Sequence, residues 1–172
     1  GPYNISQEKY TLSHQLSLVS WEYGVQHAYP CWIGFIHRSF WDQKSEFLHT
    51  NPSKVAFEIP LEGNMVIEID GLPNQVNVGE ILILPAGVQN TLRTGPAGFC
   101  RKCSFGISGN MVQSLLASLG LEGNRVYSLK NPDRILGLLD SAVRIMHEAD
   151  PVQAPRLAGL TMEILTELSE QC

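Results

Sequence analysis

The chain has 172 residues, 44% of them apolar and 17% charged, and a formal net charge of −5. That length supports one domain with its own core, and no apolar run reaches the roughly 20 residues a membrane-spanning helix requires. An acidic balance without a clustered basic face argues against a direct grip on a phosphate backbone; the lack of such an apolar run and of a disulfide framework gives the expectation of a soluble, cytoplasmic protein without a membrane partner.

Gly1 and Pro2 are set aside as a tag-cleavage scar. From Tyr10 to Trp21, Leu12, Leu16, Leu18 and Val19 sit among polar residues, as in an opening strand with one wet face. Trp32 to Phe40 is β-branched and aromatic and reads as a second strand. The polar, proline-containing stretch from Asp42 to Ser53 reads as a loop. Val55, Phe57, Ile59 and Leu61 then alternate with Ala56, Glu58, Pro60 and Glu62, a period of two in which Pro60 marks an edge or a bulge. Gly63-Asn64 is expected to turn the chain into Met65 to Ile69, and Asp70-Gly71 to turn it again toward Gln75 to Val78.

Gly79 to Thr94 organises the rest. Gly79 closes the preceding turn, and Ile81, Leu82, Ile83 and Leu84 form a short apolar run of strand length. Pro85 has no N–H to donate and stops the ladder, and Gly87 permits a sharp turn into a returning strand from Gln89 to Arg93. Phe99 to Ile107 is the last long strand, with Cys100 and Cys103 on opposite faces. With Cys31 and Cys172 these make four cysteines; a chain this large needs no disulfide staples, and the C-x-x-C lacks the second ligand pair of a zinc site.

After Ile107 the period becomes helical. Met111, Val112, Leu115, Leu116 and Leu119 share a face that Gly120 can cap. Asn131-Pro132-Asp133 is an N-cap, a first-turn proline and an acid at the positive dipole end, heading a helix to about His147. After a break from Asp150 to Pro155 a last helix carries Leu157, Leu160, Ile164, Leu165 and Leu168 on one side. Short strands with no helices between them predict a mainly β fold with α at its C-terminal end: an antiparallel jelly-roll barrel over residues 1–107, then an antiparallel helical hairpin over residues 108–172, the two packed as one unit.

The spacing from Gly79 through Pro85 and Gly87 resembles the second motif of the cupin superfamily: a glycine, five residues, Pro-x-Gly, two residues and a metal-binding histidine. Asn90 stands at that histidine and Thr94 at the asparagine that follows it. Counting back from Gly63, the first motif would place Ala56 at its glutamate, and His49 and Asn51 at its two histidines. The resemblance thus implies a cupin-like barrel that keeps only one metal-binding side chain, His49. No metal, no cofactor and no enzymatic activity are expected, since an open catalytic site wants about three protein ligands.

The order of barrel and hairpin, with F-E-I-P-L-E-G at Phe57 to Gly63, I-D-G at Ile69 to Gly71 and the motif at Gly79 to Thr94, resembles the N-terminal sensing and dimerisation domain of AraC-type transcription regulators. That resemblance implies a small-molecule effector, sugar-like or otherwise small and polar, held in the barrel, and a homodimer built by the helices. DNA would be read only through a C-terminal helix-turn-helix domain not contained in these residues, so a piece of a longer chain is expected. The alternative is a metal-dependent cupin enzyme acting on a small hydroxylated or keto substrate.

Arg38 is a first candidate for ligand binding, because an inward guanidinium needs a partner such as a ligand carboxylate or hydroxyls; outward, it would pair with Glu46 or Glu58. His37 has the opposite parity, so one of the two faces the cavity unless the strand is bulged. Asn90 and His49 stand at the old metal positions, Trp21 and Trp32 belong to an aromatic group with Tyr23 and Trp41 that could form a platform or simply core, and Arg101 and Lys102 compete for one inward position. Leu138, Leu139, Val143 and Met146 on one helix, and Leu157, Leu160, Ile164 and Leu168 on the other, are the candidate dimer surface or, alternatively, the face that packs the hairpin onto its own barrel.

Overall fold

The computed structural model describes residues 8–11, 14–20 and 29–172; Trp21 and Tyr23 lie outside them. The elements run β1 (Glu8–Thr11), β2 (His14–Ser20), β3 (Trp32–Trp41), β4 (Glu46–His49), β5 (Val55–Ile69), β6 (Leu72–Asn77), β7 (Glu80–Leu84), β8 (Asn90–Thr94), β9 (Cys100–Ser108), α1 (Val112–Ser118), β10 (Arg125–Ser128), α2 (Pro132–Glu148) and α3 (Ala154–Gln171). Every strand pairing is antiparallel, and two sheets share β5. The first sheet runs β1-β4-β8-β5-β6 and the second β2-β3-β9-β5-β7-β10. This is a jelly roll with helices added after it.

The shared strand corrects the expected turn at Gly63-Asn64. β5 does not reverse there; it bends and changes partners, pairing with β9 up to Gly63 and with β6 from Asn64 onward. Pro60 cannot donate to the ladder, and the register with β9 slips between Pro60 and Glu62. Gly63 completes the bend at φ +71°, where a Cβ would lie 2.0 Å from the Phe99 carbonyl oxygen, so no other residue fits.

Two strands were not legible. β4 lies inside the stretch read as a loop, and β10 follows α1; each is four residues long, too short for a period to declare itself. The Pro85–Gly87 turn also does more than reverse the chain, since β7 pairs with β5 and β10 in the second sheet whereas β8 pairs with β4 and β5 in the first.

The helices cover the outer face of the second sheet. Ile33, Ile36, Phe57, Ile59, Ile83, Phe105 and Ile107 share one buried core with Leu116, Ile135, Leu139, Ile145, Leu157, Ile164 and Leu165. Phe57 and Phe105, opposite each other on β5 and β9, stack with ring centroids 4.5 Å apart. A bulge in β3 between Ile33 and Phe35 leaves the Ile33 N–H outside the ladder, and the buried Thr161 hydroxyl on α3 accepts it at 3.0 Å.

α2 starts where the sequence predicts, with the Asn131 side chain accepting from the Arg134 N–H. The two long helices are antiparallel: Arg134 near the start of α2 reaches Glu167 near the end of α3 at 3.0 Å. The Gln171 side chain closes the hairpin, accepting from the Asn131 N–H and donating to the Asn131 carbonyl, each at 2.9 Å. Among the described residues no helix is long and apolar enough to cross a membrane.

This packing corrects most of the expected dimer surface. Leu139, Met146, Leu157, Ile164 and Leu168 are buried within the chain itself, while Leu138, Val143 and Leu160 are half-buried at the margin of the same core. The apolar stripes were read correctly as helix faces, but the outer face of the second sheet takes them up.

Candidate functional site

On β3 and β9, side chains alternate between the helix-covered core and the space between the sheets. Ile36 and Cys103 belong to the former, and Trp41 and Cys100 to the latter. Residues of the same parity as Trp41 and Cys100 therefore face inward in successive rungs. His37, Ser104 and Glu58 share one rung; Ser39, Lys102 and Pro60 share the next.

Glu58 and Lys102 meet diagonally between these rungs. Nζ lies 2.5 Å from Oε1, and the side chains are only 4% and 5% exposed, Lys102 and Glu58 respectively. Nζ also sits 4.9 Å from the centroid of the Trp41 ring, whose Nε1 donates to the Ser39 hydroxyl at 3.1 Å. A charge-assisted hydrogen bond and an aromatic face thus compensate the desolvation of the pair. Among the described residues these are the two charged residues counted as buried.

His37 completes the polar wall. Its Nε2 is buried and has no hydrogen-bond partner among the described residues. Burial, reinforced by the Lys102 ammonium, lowers its pKa from 6.5 to about 4, so the ring is neutral near pH 7. Burial pushes the neighbouring Cys100 thiol up to about 12, with Lys102 opposing and Glu58 adding, which disqualifies it as a thiolate nucleophile.

Between the sheets, Trp41, Ala56, Leu82, Leu84 and Cys100 of the second sheet pack in one apolar core with Phe47, Met65, Ile67, Ile69, Val76 and Leu92 of the first. At its end His49 on β4 and Asn90 on β8 are register neighbours, and His49 Nδ1 lies 3.2 Å from Asn90 Oδ1. Because an amide oxygen only accepts, this contact is a hydrogen bond in the tautomer that carries its proton on Nδ1. The two residues counted from the cupin motifs are therefore brought together, with the Phe47 ring edge-on to His49 at 4.5 Å.

The donor set does not fit a resident metal. Ala56 offers no donor, Asn51 is exposed, and Asn90 uses its oxygen on His49. Among the described residues no three His, Cys, Asp or Glu side chains converge.

Other candidates fall elsewhere. Arg38 faces outward, bonding Asp140 on α2 at 3.1 Å rather than a ligand, because β3 gives it the parity of Ile36. It pairs with neither Glu46 nor Glu58 among its described ion pairs. Arg101 is exposed and pairs with Glu62 at 3.3 Å, which leaves the inward position to Lys102. Trp32 is half-buried at the start of β3, outside both apolar clusters, and Trp21 lies outside the described residues. Glu58, Ser39 and Ser104 were missed as site residues. A glutamate flanked by Phe57 and Ile59 in a strand buried on both faces was the available signal, but it needed the register of β9 to be read.

No family model matches the chain, and no curated protein matches it in sequence. Solved structures do resemble it. YhaK from Escherichia coli is 13% identical over 66% of this chain and 51% of its own, about half its length, with a TM-score of 0.51. A conserved protein of unknown function from Streptococcus pyogenes is 20% identical over 58% of this chain and 75% of its own, with a TM-score of 0.43. A cupin superfamily protein from Desulfitobacterium hafniense is 14% identical over 59% of this chain and 77% of its own, with a TM-score of 0.41. At such identities the likeness concerns the fold. The strand order and the two-sheet closure define an antiparallel jelly-roll domain with polar side chains inside it, and fold alone does not assign an activity.

Proposed function

We propose that this chain is the ligand-sensing and dimerisation domain of an AraC-type transcription regulator, with a small-molecule effector bound between the sheets. The observation that carries the reading is the polar wall of His37, Glu58 and Lys102 in a cupin-like interior whose metal positions hold His, Asn, Ala and Asn. Small-molecule sites combine an apolar lining with a few fixed polar groups, and this interior carries both kinds of side chain. The barrel-then-hairpin order supports the family assignment, and the net charge of −5 agrees with DNA being read by another part of the full-length protein.

Strand β3 supplies a route from ligand to helices. His37 faces the interior, while the next residue, Arg38, holds Asp140 on α2. A ligand that prefers one setting of β3 biases the hairpin and whatever is attached to it, by no more than its differential affinity for the two settings. Dimerisation would use the half-buried margin of the hairpin at Leu138, Val143 and Leu160.

This reading makes the domain a non-enzyme. Thermal-shift screening of small polar metabolites, together with sedimentation velocity, tests it: ligand-dependent stabilisation and a dimer are expected, and a monomer that responds to none of them refutes it. The alternative, a metal-dependent cupin enzyme, predicts near-stoichiometric transition metal in the purified protein by elemental analysis.

A further inference from the structure

We propose that Asp70-Gly71, the turn joining β5 to β6, is a site of covalent self-modification at which the aspartate closes to a succinimide and reopens as isoaspartate, and that this change loosens β6. The proposal is independent of the sensing reading above.

In the first step the Gly71 backbone nitrogen attacks Cγ of Asp70. The new N–C bond forms as a C–O bond breaks, and the carboxyl hydroxyl leaves with the amide proton as water. In the second step water opens the ring. Opening at the main-chain carbonyl of Asp70 routes the backbone through Cβ and lengthens it by one methylene, an isomerisation with no net change in atoms.

Sequence and structure single out this dipeptide. Asp70 is the one aspartate or asparagine followed by glycine, so no side chain shields the attacking nitrogen. Both residues are exposed, with φ of +51° and +78°, and nothing lies within 4 Å of where a Gly71 Cβ would stand. Asp140-Ser141 also places a small residue after an aspartate, but it lies within α2, where the helix fixes the backbone and Arg38 holds the Asp140 carboxylate at 3.1 Å. Asp150 precedes Pro151, whose nitrogen has no proton to lose.

β6 is the strand that responds. A two-residue loop with both residues left-handed has no slack, and it sets the pairing of Ile69 with Leu72 from which the rest of the β5–β6 register follows. An added methylene breaks that pairing and, with it, the bonds from the Asn74 side chain to the Ile67 and Leu72 carbonyls. Among the described strands β6 pairs with β5 alone, and its Val76 is fully buried in the core between the sheets.

The test is prolonged incubation of the chain in warm, mildly acidic buffer, followed by peptide mapping, labelling with an isoaspartyl methyltransferase, and amide hydrogen exchange. Isoaspartate is expected first in the peptide carrying Asp70, with the Asp140 peptide unconverted. Amides of Leu72–Asn77 should then exchange at least tenfold faster than in fresh protein. Asp70→Asn suits the same turn and should reach the same succinimide faster, by losing ammonia. Asp70→Gly fits the positive φ, cannot form the ring, and should keep β6 protected through the same treatment. Absence of isoaspartate at Asp70, or its first appearance at another aspartate, overturns the site, and an Asp70→Asn chain that converts no faster overturns the succinimide route. Conversion at Asp70 with unchanged exchange in Leu72–Asn77 overturns the loosening of β6.

Discussion

Truncating Lys102 to methionine isolates the buried pair. The substitution keeps most of the side-chain volume and leaves the Glu58 carboxylate 5% exposed, with its ion-pair partner gone. Breaking such a pair by removing one member costs about 3–5 kcal/mol, because the remaining charge is desolvated without compensation. The contact of Nζ with the Trp41 face is lost as well, a contribution of about 1–2 kcal/mol that overlaps with the first. For a domain of this size that corresponds to a fall in melting temperature of roughly 6–20 °C. Glu58→Leu combined with Lys102→Met removes both charges and should recover most of the loss, since a buried pair replaced by well-packed apolar side chains is often neutral. Urea unfolding followed by tryptophan fluorescence provides the double-mutant cycle. If Lys102→Met alone is as stable as the native chain, the pair is hydrated in solution and the buried electrostatics described above are wrong.

Other outcomes follow from the same geometry. The folded-state pKa of His37, about 4, lies below its unfolded value of 6.5. Protons therefore bind the unfolded chain preferentially between those values, and about 3 kcal/mol of stability present above pH 6.5 is lost as the pH falls toward 4. Urea midpoints at pH 7.5 and pH 4.5 should differ less in His37→Gln than in the native chain; equal differences would show that the ring is solvated. Thr161→Val orphans the Ile33 N–H and should cost about 1–3 kcal/mol, with Thr161→Ser close to native in the same assay. Leu139→Glu buries an unpaired charge and should not fold, whereas Leu160→Glu should fold and sediment as a monomer. A folded Leu160→Glu dimer would remove that face from the interface.

The elements that declared themselves in the sequence were those whose periodicity or turn chemistry is local. The Asn131-Pro132-Asp133 helix start, the Asp70-Gly71 turn and the strand from Trp32 needed no tertiary information. β4 and β10 are short strands held by their neighbours, and four residues cannot show a period. At Gly63 the local signal was real but its reading was not: a glycine with positive φ serves a bend in one strand as readily as a turn between two, and the Phe99 carbonyl beneath it decides the matter.

The site was legible by residue type more than by direction. His37 and Lys102 were candidates, and so were Arg38 and Arg101, because adjacent positions on a strand differ only in parity and parity is set by register. Once the helices claim the face of Ile36 and Cys103, the inward set follows without further choice. Glu58 could not have been assigned before the register of β9 put Lys102 diagonally across from it.

The most direct test is to follow the imidazole nitrogen resonances of His37 while the chain is saturated with the small polar metabolite that raises its melting temperature most. A ligand seated on the polar wall must change the Nε2 resonance, which the structure leaves without a hydrogen-bond partner among the described residues. A saturating ligand that perturbs only surface residues and leaves His37 as it was would place binding outside the barrel and contradict the account.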